Sequence, residues 1–324
     1  MNTKLYPLQF SPILKERIWG GTKLKSILNK PIFSQITGES WEISAVEGNV
    51  SIVSDGELAG KSLNDLINEN PEAVLGIEVY KKFGKQFPLL FKYLDAHEDL
   101  SIQVHPDDEL AKKRHNSFGK TEMWYVVQAD KNAKITVSFK ENSNATEFLE
   151  NLKSKTLLSI LDHIEVKQGD VFFIETGTVH AIGAGMVIAE IQQTSDITYR
   201  LYDFDRKDVN GIERELHVDL ALEAINYNTI DSQKIYSKIS NQSNTAVDCP
   251  YFTTNFLPIQ GEISVTKTGF SFTVYMCVEG NFEIQFEGSK FLYTKGNTVL
   301  IPASMKDFIL KGNASLLEIY ISNK

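Results

Sequence analysis

Residues 169–180 read GDVFFIETGTVH, and residues 296–307 read GNTVLIPASMKD. Each opens on a glycine, runs through an apolar strand, turns at Gly177 or Pro302, and ends on His180 or Asp307 at the same position. Each also follows a pair of strand-like runs, MWYVVQADKNAKITV (123–137) in one case and FTVYMCVEGNFEIQF (272–286) in the other. Short apolar or alternating runs bounded by turn residues mark β-structure. They recur at 124–128, 133–139, 170–174, 186–191, 270–278, 282–286 and 298–301, with Gly280-Asn281 and Lys295-Gly296-Asn297 reading as turns. Helical patterns are fewer. Ser62 can cap a helix carrying Leu63, Leu66 and Ile67 on one face and stopping near Asn70-Pro71. Residues 146–162 have helical spacing with a break near Ser154, and 213–226 present Leu216, Leu220, Ala224 and Ile225 on one side. Many strands with a few inserted helices predict a mainly β barrel or sandwich rather than a parallel α/β sheet.

The chain has 324 residues, 42% hydrophobic and 23% charged, enough apolar content for a sizeable core. Lys and Arg total 33 against 42 Asp and Glu, a formal charge of −9. That sign argues against a general nucleic-acid or anionic-membrane binder, yet leaves room for a small anionic substrate held by a few local cations. Cys249 and Cys277 lack the spacing of a disulfide framework or a cysteine zinc site. The start, MNTKLYPLQF, lacks the apolar stretch of a signal peptide, and no window approaches a membrane span, so a cytoplasmic protein is expected. The repeated pattern resembles the second sequence motif of cupins, G-x5-P-x-G-x2-H, with Glu175, Ser304 and Asp307 as departures. Cupins are double-stranded β-helix, or jelly-roll, barrels. The resemblance implies two tandem barrels: a metal-bearing one with helical insertions over residues 1–236, and a degenerate one over 237–324.

Within the first barrel, residues 100–107 read LSIQVHPD. On a strand, Ser101, Gln103 and His105 face one way while Ile102 and Val104 face the other, as for a strand lining a polar cavity. Glu122 opens the next apolar strand and His180 closes the glycine-turn motif. Two neutral imidazoles, a carboxylate and an amide oxygen make a divalent metal site of intermediate softness. The plainer reading leaves His105 as a satisfied histidine before Pro106 and Glu122 as a surface charge. His97, His115 and His163 sit among charged residues and read as solvated, and His217 as structural.

The segments LDAHEDLSIQVHPDDELA, GKTEMWYV, FIETGTVHAIGAG and AEIQQTSDITYRLYDFDR, together with PILKERIWGG and GESWEIS, resemble successive motifs of the type I mannose-6-phosphate isomerases in their short bacterial form. The resemblance runs from about Leu8 to His217, and His97 and Asp99 depart from it on a loop. It implies a zinc enzyme, one Zn2+ per chain, interconverting mannose 6-phosphate and fructose 6-phosphate. The implied ligands are Gln103, His105, Glu122 and His180. The implied active-site arginine is Arg200, and Glu190, Asp196, Ser101 and Lys120 match positions lining the pocket.

Aldose–ketose isomerisation passes through an enediol(ate) and needs a base serving two carbons, charge stabilisation at two oxygens and a phosphate anchor. Zinc polarises oxygens without redox chemistry. In TYRLY, Thr198, Arg200 and Tyr202 share a face, so Arg200 can enter the cavity. Its alternative is an ion pair with Asp196 or Asp203. Glu190 is favoured as general acid/base over Asp196 and a metal-bound hydroxide. Ser101, Lys120 and Asp196 are the expected substrate contacts, with Arg206 and Lys207 readable either as positive field at the rim or as solvated loop charges. Among the tryptophans, Trp124 reads as packing and Trp19 as shaping the pocket. The expected partner is a sugar phosphate, without nucleic acid or membrane, the protein being a monomer or weak homodimer. Rival functions are an Fe(II) cupin dioxygenase, using the same two histidines and carboxylate, and a non-catalytic sugar-phosphate sensor.

Overall fold

The computed structural model describes residues 4–207 and 210–322, which build three antiparallel sheets and a two-stranded ribbon. The first sheet orders its strands Gln233–Lys234, Val171–Ile174, Glu122–Ala129, Met186–Gln193, Leu89–Ala96, Thr37–Ile43 and Ile13–Gly21. The second orders Leu161–Glu165, Lys134–Phe139, His180–Ile182, Ile102–Val104 and Tyr199–Tyr202. The two face each other. Leu94, Trp124, Val126, Phe172 and Ile188 of the first pack on Ile135, Val137 and Ile182 of the second. Period-two alternation sends the intervening residues outward. Ile102, Val104, Tyr199 and Leu201 pack under the helices Ala145–Lys153, Leu157–Ile160 and Val218–Leu222. Tyr93, Met123, Tyr125 and Ile191 leave the first sheet on its other face and join a core with Val274, Met276, Leu317 and Ile319.

Those last residues belong to the third sheet, ordered Leu8–Gln9, Thr298–Ile301, Thr273–Phe286, Asp307–Tyr320, Thr253–Thr266 and Asn244–Asp248, with Ser289–Thr294 beside Thr273–Phe286. Its three 14-residue strands curl around a core of their own that includes Leu257, Cys277, Ile284, Leu310 and Leu316. The bends fall at glycine. Gly261 sits opposite Gly312 and Gly280 opposite Ala314, and a Cβ on Gly280, whose φ is +75°, would lie 2.1 Å from the Asn313 carbonyl oxygen.

The repeat seen in sequence is a repeat of strand register. Ile174 pairs with Glu122 and Phe172 with Trp124, as Ile301 pairs with Thr273 and Val299 with Tyr275. The expected turn at Gly280-Asn281 is instead a bend inside one strand, because positive φ at Gly280 turns the chain without ending its pairing. The Ser62 helix forms with a capping box to Asp65 and ends at Asn70. The helix expected over 146–162 divides into Ala145–Lys153 and Leu157–Ile160, and Leu161 and Asp162 pass into a strand. Of 213–226 only Val218–Leu222 is helical. There Arg214 is drawn to Asp203, and the His217 amide donates to the Arg200 carbonyl, so tertiary bonds hold the segment extended. The strand expected over 100–107 is Ile102–Val104 alone. Leu8–Gln9 pairs with Leu300 and Val299 of the third sheet, across the division expected at 236. No helix among the described residues is long and apolar enough to cross a membrane.

Candidate metal centre and active-site cleft

His105, Glu122 and His180 converge between the first two sheets, their ligand atoms within 4.8 Å of one another and all three side chains buried. His180 pairs with Gln103 across adjacent strands, and Glu122 lies on the facing sheet. Each imidazole is oriented by its Nδ1, which donates to the Ile197 carbonyl (2.9 Å) from His105 and to the Thr178 carbonyl (2.8 Å) from His180. That fixes the tautomer and turns both Nε2 lone pairs toward Glu122, at 3.7 and 3.5 Å from its oxygens. Burial, the leading cause, keeps both rings neutral. It holds His180 at about 3 and, with the Lys120 charge next in weight, takes His105 well below the usual range. Glu122 Oε1 is buried without a hydrogen-bond partner among the described residues. The Gln103 amide nitrogen donates to His180 Nε2 at 3.2 Å, and a flip of the amide would present its oxygen instead. Neutral imidazoles, a carboxylate with an unused buried oxygen and a turnable amide fit a divalent cation of the zinc type.

Two lysines balance this cluster. Lys120 Nζ contacts Glu122 Oε2, donates to His105 Nε2 (3.1 Å) and lies 4.0 Å from Glu190 Oε1. Lys92 Nζ donates to the same Glu190 oxygen at 2.9 Å and lies over the Trp41 ring. Burial alone would raise Glu190, but Lys92 and Lys120 outweigh it and hold the carboxyl well below the usual range. At Glu122 burial wins over the pull of Lys120 and pushes the carboxyl up. Nothing in sequence spacing singled out Lys92. The signal available was one lysine in a strand, LLFKYLDA, whose every other residue but Asp95 is apolar.

A cleft of about 490 Å3 adjoins the cluster through Gln103 and Lys120 and is also lined by Glu190, Ser101, Arg200 and Asp196 among others. The sequence-derived candidates therefore share one locality. Asp196 is exposed and also borders a larger cleft of about 880 Å3. Arg200 lies beside Gln103 in register. Its Nη1 donates to the Glu215 carbonyl, its buried Nε has no partner among the described residues, and Asp203 is already taken by Arg206 and Arg214. Of the two readings of Arg206, the solvated one is excluded, since it is tied to Asp203 and to the Asp99 carbonyl. Tyr202 also departs from its expected face. A bulge after Arg200 turns it toward the helix-covered side, against Phe204. Trp19 and Trp41 line the cleft, while Trp124 is fully buried with its ring edge-on to His180. Arg17, Glu39 and Arg214, not singled out in the sequence, line it as well. His217 accepts from the Arg200 amide through Nδ1, a structural role.

Two family models match the chain: the catalytic domain of phosphomannose isomerase type I over residues 7–148, and the cupin domain of mannose-6-phosphate isomerase over 242–321. Together with the sheets and the buried histidine–carboxylate cluster, they define a cupin-containing sugar-phosphate isomerase. Mannose-6-phosphate isomerase ManA of Bacillus subtilis is 37% identical over 319 residues, covering 96% of this chain and 98% of its own. Mannose-6-phosphate isomerase of Streptococcus mutans is 33% identical, with 96% and 97% covered. The crystal structure of the mannose 6-phosphate isomerase from Bacillus subtilis matches with TM-score 0.90 and 37% identity, over 97% of this chain and 99% of that one. The chain belongs to the type I mannose-6-phosphate isomerase family.

Proposed function

We propose that the protein interconverts D-mannose 6-phosphate and D-fructose 6-phosphate through an enediol(ate), with one zinc ion held by His105, Glu122, His180 and Gln103. The observation that carries this reading is the convergence of two Nε2 lone pairs on Glu122, whose buried Oε1 has no hydrogen-bond partner among the described residues, beside a polar cleft that Gln103 and Lys120 line. When bound, the metal supplies Lewis acidity toward the sugar's carbonyl and hydroxyl oxygens. Lys120, which donates to His105 Nε2 and contacts Glu122, would be released toward substrate if those atoms held the metal.

The remaining steps belong to the chain. Arg200 stands beside the cluster with an unused buried N–H, suited to the charge that develops on the enediolate oxygen. Glu190, held ionised by Lys92 and Lys120, is in the form that accepts a proton, and it is proposed to carry that proton between the two carbons. Ser101, Lys120 and Asp196 are the proposed substrate contacts. Arg17 and Arg214 also line the cleft, paired with Glu39 and Asp203, and a phosphate of up to two negative charges would share them with those carboxylates. Trp19 and Trp41 wall the cleft and limit water at the reacting carbons. Membership of an isomerase family weighs for isomerisation over oxygen chemistry or mute binding.

The test is conversion of mannose 6-phosphate in deuterated water, followed by NMR. Proton transfer through a protein base predicts fructose 6-phosphate as product, with deuterium entering at the carbon beside the carbonyl at a measurable rate. Folded, metal-replete protein that binds the sugar phosphate and leaves it unchanged would overturn the reading.

A further inference from the structure

The third sheet repeats the strand register of the first two, so the metal-ligand positions and the Lys92–Glu190 pair have counterparts there, while the strand of Arg200 has none. Glu190 pairs with Lys92 and with Trp124, and Glu318 pairs with Asn255 and with Tyr275. Glu122 pairs with Ile174 and Gln192, and Thr273 pairs with Ile301 and Tyr320. His180 pairs with Gln103, and Asp307 pairs with Thr266. Glu318 therefore holds the place of Glu190, Asn255 that of Lys92, Thr273 that of Glu122 and Thr266 that of Gln103. Thr268, two residues on, stands where His105 would. The imidazoles and the Glu122 carboxylate have been replaced, but the carboxylate in the place of Glu190 has been kept.

This position is hollow. A cleft of about 550 Å3 is lined by Asn255, Thr273, Lys267, Glu318, Phe270 and Tyr320, with Thr266 and Thr268 at its side. Burying a carboxylate is costly unless it is satisfied, and Glu318 is. Its Oε1 accepts from Lys267 Nζ (2.7 Å) and Tyr275 OH (3.1 Å), and its Oε2 from Ser243 Oγ (2.6 Å) and Asn255 Nδ2 (3.0 Å). The Asn255 amide is thereby fixed with its nitrogen toward the carboxylate. Its Oδ1, in a side chain on a residue only 3% exposed, has no hydrogen-bond partner among the described residues. Asn255 lines the cleft, so a donor seated there that reached Oδ1 would satisfy it.

We infer that this cleft is a second binding site, for a neutral polyhydroxylated ligand of the sugar or sugar-alcohol class. Among the described lining residues the charged ones are Lys267 and Glu318, already paired, so the cleft offers no spare charge to an anion or a cation. Three threonine hydroxyls in the places of metal ligands suit a ligand that both donates and accepts. Asn255 Oδ1 takes one of its hydroxyl protons, and Tyr320 and Phe270 meet its C–H face. The site does not depend on the isomerase reading and is tested apart from it.

The experiment is saturation-transfer NMR on the full-length protein with D-mannose and D-mannitol as probes, repeated with mannose 6-phosphate in saturating excess to fill the first cleft. The expected result is transfer to at least one probe that survives the excess. Asn255→Leu and Tyr320→Ala should each weaken it by about tenfold, the scale of one lost hydrogen bond or stacking contact, with isomerase rates unchanged. Tyr320 is only partly buried at a strand end, so Tyr320→Ala keeps the test open should Asn255→Leu fail to fold. No transfer to either probe, displacement by mannose 6-phosphate, or undiminished transfer in both folded variants would each overturn the inference. Loss of isomerase activity with polyol binding intact would count against the proposed function alone.

Discussion

Arg200 owes its place to the strand Tyr199–Tyr202, which buries Tyr199 and Leu201 and leaves the guanidinium facing the cleft. Replacing it by alanine removes a cation and donor without opening the core. A kcat loss of about 10²- to 10³-fold is expected, the scale of one lost oxyanion donor, with the melting temperature nearly unchanged. Steady-state kinetics and calorimetry on Arg200→Ala check both. Lys92 differs because it is buried against Glu190. Lys92→Met leaves a buried carboxylate without its nearest cation and should cost about 3 kcal/mol of stability, measured by denaturant unfolding. The alternation that brought Gln103 and His105 to one side was readable in LSIQVHPD because a strand's period of two is local. Lys92 was not readable, since only the pairing of Leu89–Ala96 with Met186–Gln193 sets it beside Glu190.

Elements follow the same division between local and distant causes. The Ser62 helix was legible because its capping box lies within its own sequence. The segment 213–226 was not, because Asp203 and the Arg200 backbone claim Arg214 and His217 from outside it. Gly280 looked like a turn residue and proves to be a bend in a continuous strand. Any side chain there meets the Asn313 carbonyl in a backbone conformation only glycine adopts readily. Gly280→Val is therefore expected to destabilise by more than about 2 kcal/mol, read as a lowered midpoint in urea. In the same sheet, burial alone would raise Glu318, but Lys267 and the bonds from Lys267, Ser243 and Asn255 hold it below the usual carboxylate range. A carboxyl lowered on folding stabilises above its unfolded pKa, about 4.3, and that contribution is lost as pH falls through its folded value. Glu318→Gln should be less stable than the parent at pH 7, with a shallower fall in melting temperature below pH 4.5.

The whole molecule is tied across its middle. One core cluster runs from Leu8 and Tyr93 to Met276 and Ile319, Leu8–Gln9 adds a strand to the third sheet, and buried Lys30 bridges Glu42 and the Gly296 carbonyl. Separately expressed residues 1–236 and 237–324 should each expose that core face and aggregate, whereas the full chain unfolds in one cooperative transition by circular dichroism. The repeat and the mainly β class were legible because glycine-bounded apolar runs recur at matching places. The shared core and the crossing N-terminal strand were not, because no local pattern records which sheet a two-residue strand joins. On the proposed function, a metal held by His105, Glu122 and His180 is needed for isomerisation. That requirement is tested most directly by assaying fructose 6-phosphate formation from mannose 6-phosphate before chelation, after chelation and after zinc is restored, in the parent and in His105→Ala. Activity lost to the chelator, regained with zinc, and absent at every stage in folded His105→Ala is the expected result. Full activity in metal-free protein, or in His105→Ala, would contradict it.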